Sequence, residues 1–552
     1  MFRQTSSGLR SGKSRRFLHN RYKPSAIRRI HAVEITHGLT NPAGTLSLTP
    51  YRIELARAFG LSLCIAGGLL GGIAPAQIRM ANSPRFPDDL PQVGVAADAK
   101  AKKSPEDFEK RLKELEDQLA EQAKEQAKKE EQAEQREKLE AEEAKQKPTF
   151  ELNGRIHMDY WAFPRDQPGI GFLEHPDPSQ ANYGEDPEDR FEFRRIRLEM
   201  SGDIPENMYW RMQVDFGDPS DPTFKDVYLG WRGDGGQRSF QIGNQKLPLG
   251  LDALDSSRYT VFAERPLINA AFVENSRRVG AAFYGYTNDE LFNWAYGVFN
   301  LEDVSGTGTY VGDSLQLGGY GRLASTPWYE RDGRDYLHLA LAGAVAFPDG
   351  DAGTSSSADN AARFRSQPQA RTDSYWFDTG TIVGANSFEI LGTEGRLNLG
   401  PLQFTGETMV NYLQRDASTP GAEEDLVFYG FYGYVSYFVT GEYLPHDRTS
   451  GTMTRVTPHR NFFLFDRLRG CREGGGWGAW QIAARYDYID LTDDDITGGV
   501  GNHFTLGLNW HWSPYAKMQS NLIFGDIDQR GPVGGYDGGS YSILGTRLMA
   551  EF

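Results

Sequence analysis

From Phe150 onward the chain alternates. Phe150, Leu152, Ile156, Met158 and Tyr160 interleave with Glu151, Asn153, Arg155, His157 and Asp159, so one face is apolar and the other polar. The pattern returns in Ile196, Leu198 and Met200 against Arg195, Arg197 and Glu199. It returns again in Trp210, Met212, Val214 and Phe216 against Arg211, Gln213 and Asp215. Near the end, Trp480, Ile482, Ala484, Tyr486 and Tyr488 alternate with Gln481, Ala483, Arg485 and Asp487, and Phe504, Leu506, Leu508, Trp510 and Trp512 with His503, Thr505, Asn509 and His511. A period of two sustained for about 9–11 residues is what a tilted membrane strand requires. Short turns such as 202–207, 234–236, 287–290, 400–401 and 513–514 take turns with longer links such as 164–190, 244–277 and 301–312. This is the arrangement of an outer-membrane barrel, with its short turns in the periplasm and its long loops outside. The reading is an all-β transmembrane barrel of about 16 antiparallel strands over residues 150–552. A soluble sandwich or propeller is the rival for short alternating strands. The last strand, Leu544, Thr546, Leu548, Ala550 and Phe552, ends on an aromatic residue, as outer-membrane barrels do.

Ahead of the barrel the period changes. Ser104-Pro105-Glu106-Asp107 has the chemistry of a helix start. Phe108, Leu112, Leu115 and Leu119 follow at coiled-coil spacing. The seam then weakens through Gln122, Gln126, Lys129 and Ala133, and Pro148 stops the helix. Residues 104–147 are thus expected to form an α-helical coiled-coil stalk in the periplasm. Its first half would self-associate, and a solvated helix carrying i,i+4 charge pairs is the alternative for the second half. Residues 77–103 are a linker. Residues 59–76 combine an apolar run with preceding Arg52 and Arg57 and a closing Ala74-Pro75-Ala76, the layout of a secretory signal. About fifty basic, polar residues precede it. The true start is therefore expected downstream of Met1, with the mature chain beginning near Gln77, and residues 1–76 are an upstream extension plus signal.

Composition narrows the function. A net charge of −16 argues against nucleic acid as a partner. The two cysteines, Cys64 and Cys471, would be separated by signal removal, and no zinc-type spacing of Cys and His is present. No nucleophile elbow, P-loop or H-E-x-x-H motif appears, so neither a catalytic residue nor a cofactor is assigned. A barrel hydrolase remains as an enzyme alternative.

Several segments resemble the phosphate-selective porin O and P family. They are Phe191-Glu-Phe-Arg-Arg-Ile-Arg-Leu198; Ile242-Gly-Asn-Gln-Lys-Leu-Pro-Leu-Gly250, followed by Ser256-Ser-Arg-Tyr259 and Phe262-Ala-Glu-Arg265; Thr440-Gly-Glu-Tyr443 with Asp447-Arg448 and Gly451; and Gly475-Gly-Trp-Gly-Ala-Trp480 with Ala484-Arg-Tyr-Asp-Tyr488. Leu249 stands where that family commonly has Phe, and the stalk is an addition. The resemblance implies a trimeric anion channel in which two outer loops and one periplasmic turn fold inward. That accounts for three overlong links, 244–277, 348–386 and 441–476. Inward alternation and the resemblance together nominate Arg195, Arg197, Lys246, Arg258, Arg278, Arg322 and Arg485 as anion-binding residues. Arginine suits phosphate because its planar fork donates two parallel hydrogen bonds. The same face carries Asp159, Glu199, Asp215, Glu394, Glu407 and Asp487, so charges that merely brace the lumen are the competing reading. The expected partners are outer-membrane lipid, inorganic phosphate or other small anions, and two more copies of the chain, with the cell wall reached through the stalk. A general porin or a structural anchor is the alternative function.

Overall fold

The computed structural model describes residues 105–145, 147–205, 207–309, 315–348, 362–417, 422, 424–462 and 475–552. The signal segment, the linker, Ser104, Cys64, Cys471 and the arginines at 467, 469 and 472 lie outside the described residues.

Helix α1 (Pro105–Lys145) is continuous. Leu112, Leu119 and Leu139 are exposed along it, and Lys129–Glu125 and Lys138–Glu134 form i,i+4 pairs at 3.0 and 2.7 Å. No helix among the described residues is long and apolar enough to cross a membrane. Pro148 ends the helical run and β1 (Glu151–Asp166) begins.

Sixteen antiparallel strands close into a barrel. In chain order they continue with β2 (Arg190–Ile204), β3 (Met208–Asp215), β4 (Thr223–Arg232), β5 (Arg238–Lys246), β6 (Arg277–Tyr286), β7 (Phe292–Asn300), β8 (Leu317–Glu330) and β9 (Asp335–Phe347). Two short strands, β10 (Arg365–Ser366) and β11 (Phe377–Asp378), form a separate hairpin before β12 (Ala385–Leu399), β13 (Leu402–Arg415) and β14 (Leu426–Phe438). A second hairpin, β15 (His446–Asp447) and β16 (Thr452–Met453), precedes β17 (Ala479–Asp493), β18 (Ile496–Ser513), β19 (Ala516–Arg530) and β20 (Gly539–Glu551). Closure runs β1 to β20, with Asp159 opposite Arg547 and Arg155 opposite Glu551. The terminal Phe552 completes the seam: its backbone exchanges hydrogen bonds with Gly154 at 2.8 and 3.1 Å. Its ring lies where a side chain on Gly154 would have to be, which requires glycine there.

Burial is inverted relative to a soluble protein. Phe191 (67% exposed), Leu323 (54%), Ile482 (49%) and Phe504 (45%) face out, while His157, Gln213, Asn411 and Asn509 on the opposite face are buried. An apolar exterior repeated around a closed sheet is the surface that a bilayer covers. Aromatic rings cluster in two places along the wall. Trp231, Phe240, Phe283 and Tyr296 neighbour one another across β4–β7 near the short-turn end, and Tyr429, Phe431, Tyr486 and Tyr488 do so across β14 and β17.

Three long links enter the lumen. The β5–β6 loop (247–276) carries two short helices, α2 (Leu251–Leu254) and α3 (Leu267–Phe272). Its Leu249, Leu251, Phe262, Leu267 and Ile268 are buried. Ile268 fills the space beside Gly430, and Phe262 packs edge-on against Tyr434 with ring centroids 5.6 Å apart. The loop is thereby bound to the β13–β18 side of the barrel. The described part of the β9–β12 link supplies Phe364, which packs on Phe272, Phe388 and Phe428. The β14–β17 link lies at the end otherwise bearing short turns, and it too folds in. His446 stacks on Tyr336 at 4.8 Å, and the Met453 amide donates to Asp255 Oδ1 of the inward loop at 2.7 Å.

Candidate functional site: an arginine constriction

Two cavities occupy the lumen beside the β2–β8 wall, of about 570 and 640 Å³. The first lies toward the short turns and is bounded by Gln237, Tyr286 and the inward turn residues Thr449–Thr454. The second opens among the long loops, at Asp218, Asn275 and Arg371. Four residues line both: Arg195, Arg197, Arg265 and Arg277. They mark the narrow point.

Each arginine there is held differently. Arg197 Nε pairs with Asp215 at 2.6 Å. Arg277 makes a two-point contact with Asp226, at 2.9 and 3.0 Å. Arg265, on the inward loop, donates to the carbonyls of Asp252 and Ala253 at 3.1 and 3.0 Å. Arg195 is 8% exposed, and its Nε and Nη1 have no hydrogen-bond partner among the described residues. Neighbouring Arg155 reaches neutral groups: Ser256 and Ser257 at 3.2 Å and Gln213 at 3.3 Å. A buried guanidinium with unused donors is costly unless an acceptor arrives.

Charge balance changes along the path. The loop-side cavity mixes eight cationic side chains with six carboxylates. The turn-side cavity has nine cationic side chains against Glu199 and Asp226. An anion moving inward therefore enters an increasingly positive space. Two inward-loop carboxyls respond to this setting. Burial pushes Asp252 up to about 6, with Arg265 acting in opposition. At Glu264 burial also pushes upward, but Arg194 and Arg547 outweigh it and hold the carboxyl well below its usual range.

The residues nominated from sequence separate into groups. Arg195, Arg197, Lys246, Arg258 and Arg322 line the turn-side cavity. Lys246, however, spends its ammonium on the carbonyls of Ala253, Leu254 and Asp255 at 2.9, 2.6 and 3.1 Å, and so caps α2 and ties the loop to β5. Arg322 is bound to Glu394 at 2.7 Å and to the carbonyls of Ser450 and Gly451, which fastens the inward turn. Arg258 is loosely tethered, 3.6 Å from Glu551 and 4.0 Å from Glu199. Arg485 lines neither of these cavities; it pairs with Asp487 at 2.8 Å and lies over the Phe262 ring. Arg278 lines neither cavity either, because its guanidinium donates to the carbonyls of Leu301 and Arg277 at 2.7 and 2.8 Å. Its place is taken by Arg277, the first residue of β6. There the preceding Asn275 and Ser276 adopt left-handed backbone (φ 54° and 33°), and strict alternation has not yet begun. Arg265 was visible only inside a motif, since a loop residue has no strand phase to reveal it. In the β14–β17 link, Arg448 pairs with Glu290 at 3.3 Å and Arg455 with Glu551 at 2.6 Å.

The chain is similar to several known proteins. Porin O of Pseudomonas aeruginosa is 24% identical over 455 residues, 75% of this chain and 91% of that protein. An uncharacterized protein of Caulobacter vibrioides is 23% identical over 366 residues, 65% of this chain and 68% of that one. Among solved structures, an anion-selective porin from Comamonas acidovorans matches with a TM-score of 0.45 at 13% identity, covering 74% of this chain and all of the other. The pattern of the phosphate-selective porin O and P family matches residues 175–552. Spanning most of the chain and the whole constriction, that match places the protein: it belongs to the phosphate-selective porin O and P family.

Proposed function

We propose that this protein is an outer-membrane channel for the passive diffusion of small anions, inorganic phosphate and polyphosphate among them. The observation that carries the reading is the meeting of two lumen cavities at Arg195, Arg197, Arg265 and Arg277. An oxyanion shedding water in a narrow pore needs replacement hydrogen bonds, and charge-assisted N–H donors supply them. Arg195, with no ion-pair partner among the described residues, supplies an unbalanced positive charge; Arg197 and Arg277, already balanced by Asp215 and Asp226, offer weaker attraction. Several moderate sites allow release as well as entry, which conduction requires. In this reading Arg258 acts next on the periplasmic side. Lys246, Arg322 and Arg485 contribute field and hold the loops, and Arg278 serves the loop-end backbone. The functional unit is a trimer. The signal is removed near Gln77, and α1 stands in the periplasm, where its Leu112 and Leu119 edge self-associates or meets the cell wall.

Planar-bilayer reversal potentials under a salt gradient test the proposal. The expected result is a preference for chloride over potassium, with millimolar phosphate reducing chloride current. Replacing Arg195 and Arg258 by Glu should reduce both effects. A wild-type channel that prefers potassium would leave a general porin, and absence of conductance would leave a structural anchor.

A further inference from the structure

Outside the pore, two long loops meet around a histidine. His175 follows a short helical turn (Pro168–Glu174) in the β1–β2 link and is 7% exposed. Its Nδ1 donates to the Glu185 carbonyl at 2.8 Å, which leaves Nε2 as the lone-pair nitrogen. That Nε2 is buried and has no hydrogen-bond partner. It points toward Asp373 Oδ2, 3.9 Å away, which comes from the β9–β12 link. Glu188 completes a set of three ligand atoms that all lie within 4.8 Å of one another.

The surroundings position these groups. Arg190 holds the other oxygen of Asp373 at 2.8 Å, turning Oδ2 toward the histidine. Glu174, buried, accepts from the Asp373 amide at 2.9 Å, from Trp376 Nε1 at 2.8 Å and from Arg190 at 3.3 Å. A histidine whose far nitrogen is fixed by a carbonyl, beside a carboxylate oriented by an arginine, is the outer-shell pattern of metal ligands. Tetrahedral zinc with bonds of about 2.0–2.2 Å needs its ligand atoms about 3.4 Å apart. Glu188 is exposed and its side chain has room to close the remaining gap.

We infer that His175 Nε2, Asp373 Oδ2 and a Glu188 carboxylate oxygen form a divalent transition-metal site of the zinc type that clamps the β1–β2 and β9–β12 links together at the outer mouth. Imidazole with two carboxylates suits zinc, and water takes the fourth position. The site is independent of the anion reading, since it lies outside the constriction. Sequence spacing did not announce it, because its ligands come from two distant links.

The test is calorimetric titration of zinc chloride into chelator-washed, full-length protein in detergent, with bound zinc counted by elemental analysis. One zinc per chain is expected, and hydrogen exchange should slow in 167–189 and 365–378 when zinc is added. His175→Asn keeps a donor for the Glu185 carbonyl but removes the ligand nitrogen, and Glu188→Gln alters an exposed side chain without touching the fold. Each should weaken binding by at least about tenfold. His459→Ala, in the β14–β17 link, should bind as wild type. Wild-type affinity in either ligand variant, or zinc-dependent protection elsewhere but not in these two segments, would overturn the site.

Discussion

Arg195 on β2 and Arg396 on β12 are both inward arginines of alternating strands, and their strands stand halfway round the ring from each other. Their fates differ. Arg396 lies under the inward loop and pairs with Asp255 at 2.5 Å. Elsewhere under the loop, Arg547 on β20 binds Asp159 and Glu264, both at 2.6 Å, and Lys517 on β19 donates to the Thr260 carbonyl at 2.9 Å. Arg195 lines open cavity and makes no ion pair among the described residues. Some inward cations are therefore struts for a loop, while others border the path. What separates the two is the loop, not the strand pattern: Asp255, Thr260 and Glu264 within residues 247–276 take up Arg396, Lys517 and Arg547. Both readings of the lumen charges, bracing and selective, hold within one barrel, divided by where the loop lies.

Breaking a strut should have the largest effect. Arg396→Met leaves Asp255 a buried carboxylate without its cation, at a cost of about 3–5 kcal/mol. A lower temperature of unfolding on heat-modifiability gels and a larger, noisier single-channel conductance are expected. Wild-type behaviour in both would show that the covered wall does not hold the loop. On the open wall, Arg195→Glu with Arg258→Glu should leave folding nearly intact but lower the anion-to-cation permeability ratio by about tenfold or more, because each change reverses a charge at close range. An unchanged ratio would remove the distinction between the walls.

A third measurement sharpens the boundary between them, where Asp252 lies 3.8 Å from Arg265. Asp252 titrates at about 6. Above that pH its carboxylate offsets Arg265; below it the carboxyl is neutral and Arg265 acts alone. Anion preference should therefore rise, by roughly twofold, as pH falls from 7 to 5. Asp252→Asn should show the low-pH preference throughout, and a wild-type ratio that stays flat or falls on acidification would contradict the assignment. The smallest effect is expected far from both walls. Deleting residues 105–147 should leave selectivity unchanged and the barrel folded, since the helical period ends at Pro148 before the first strand. Failure of the truncated chain to insert would show that the two parts are not independent.

The barrel was legible because alternation is enforced along whole strands by lipid on one side and water on the other, so each residue of β1 or β18 repeats the message. The three inward links were legible as stretches too long for turns, and their inward course came from the family resemblance. The constriction was legible only where strand phase reached it, at Arg195 and Arg197. Arg277 was missed at a strand end, where backbone rather than pattern sets direction, and Arg265 on a loop that has no period. Lys246 and Arg322 show the converse. Their direction was readable, but their partners are carbonyls and a carboxylate brought from distant segments, and no local pattern encodes those.

Asp255 carries a consequence for the order in which the pore is made. One of its oxygens is taken by Arg396 on β12 and the other by the Met453 amide in the inward turn. Both partners follow it by well over a hundred residues, so neither contact can form until most of the wall exists. Contacts of such long range bear their loop-closure entropy before any reward. The inward loop is thus anchored only after β12 and the inward turn exist, and until then the space that it will narrow is wide and unselective. Pulse-labelled hydrogen exchange during refolding should show the Met453 amide protected after the strand amides of β12 and β13; protection at the same time or earlier would refute this order.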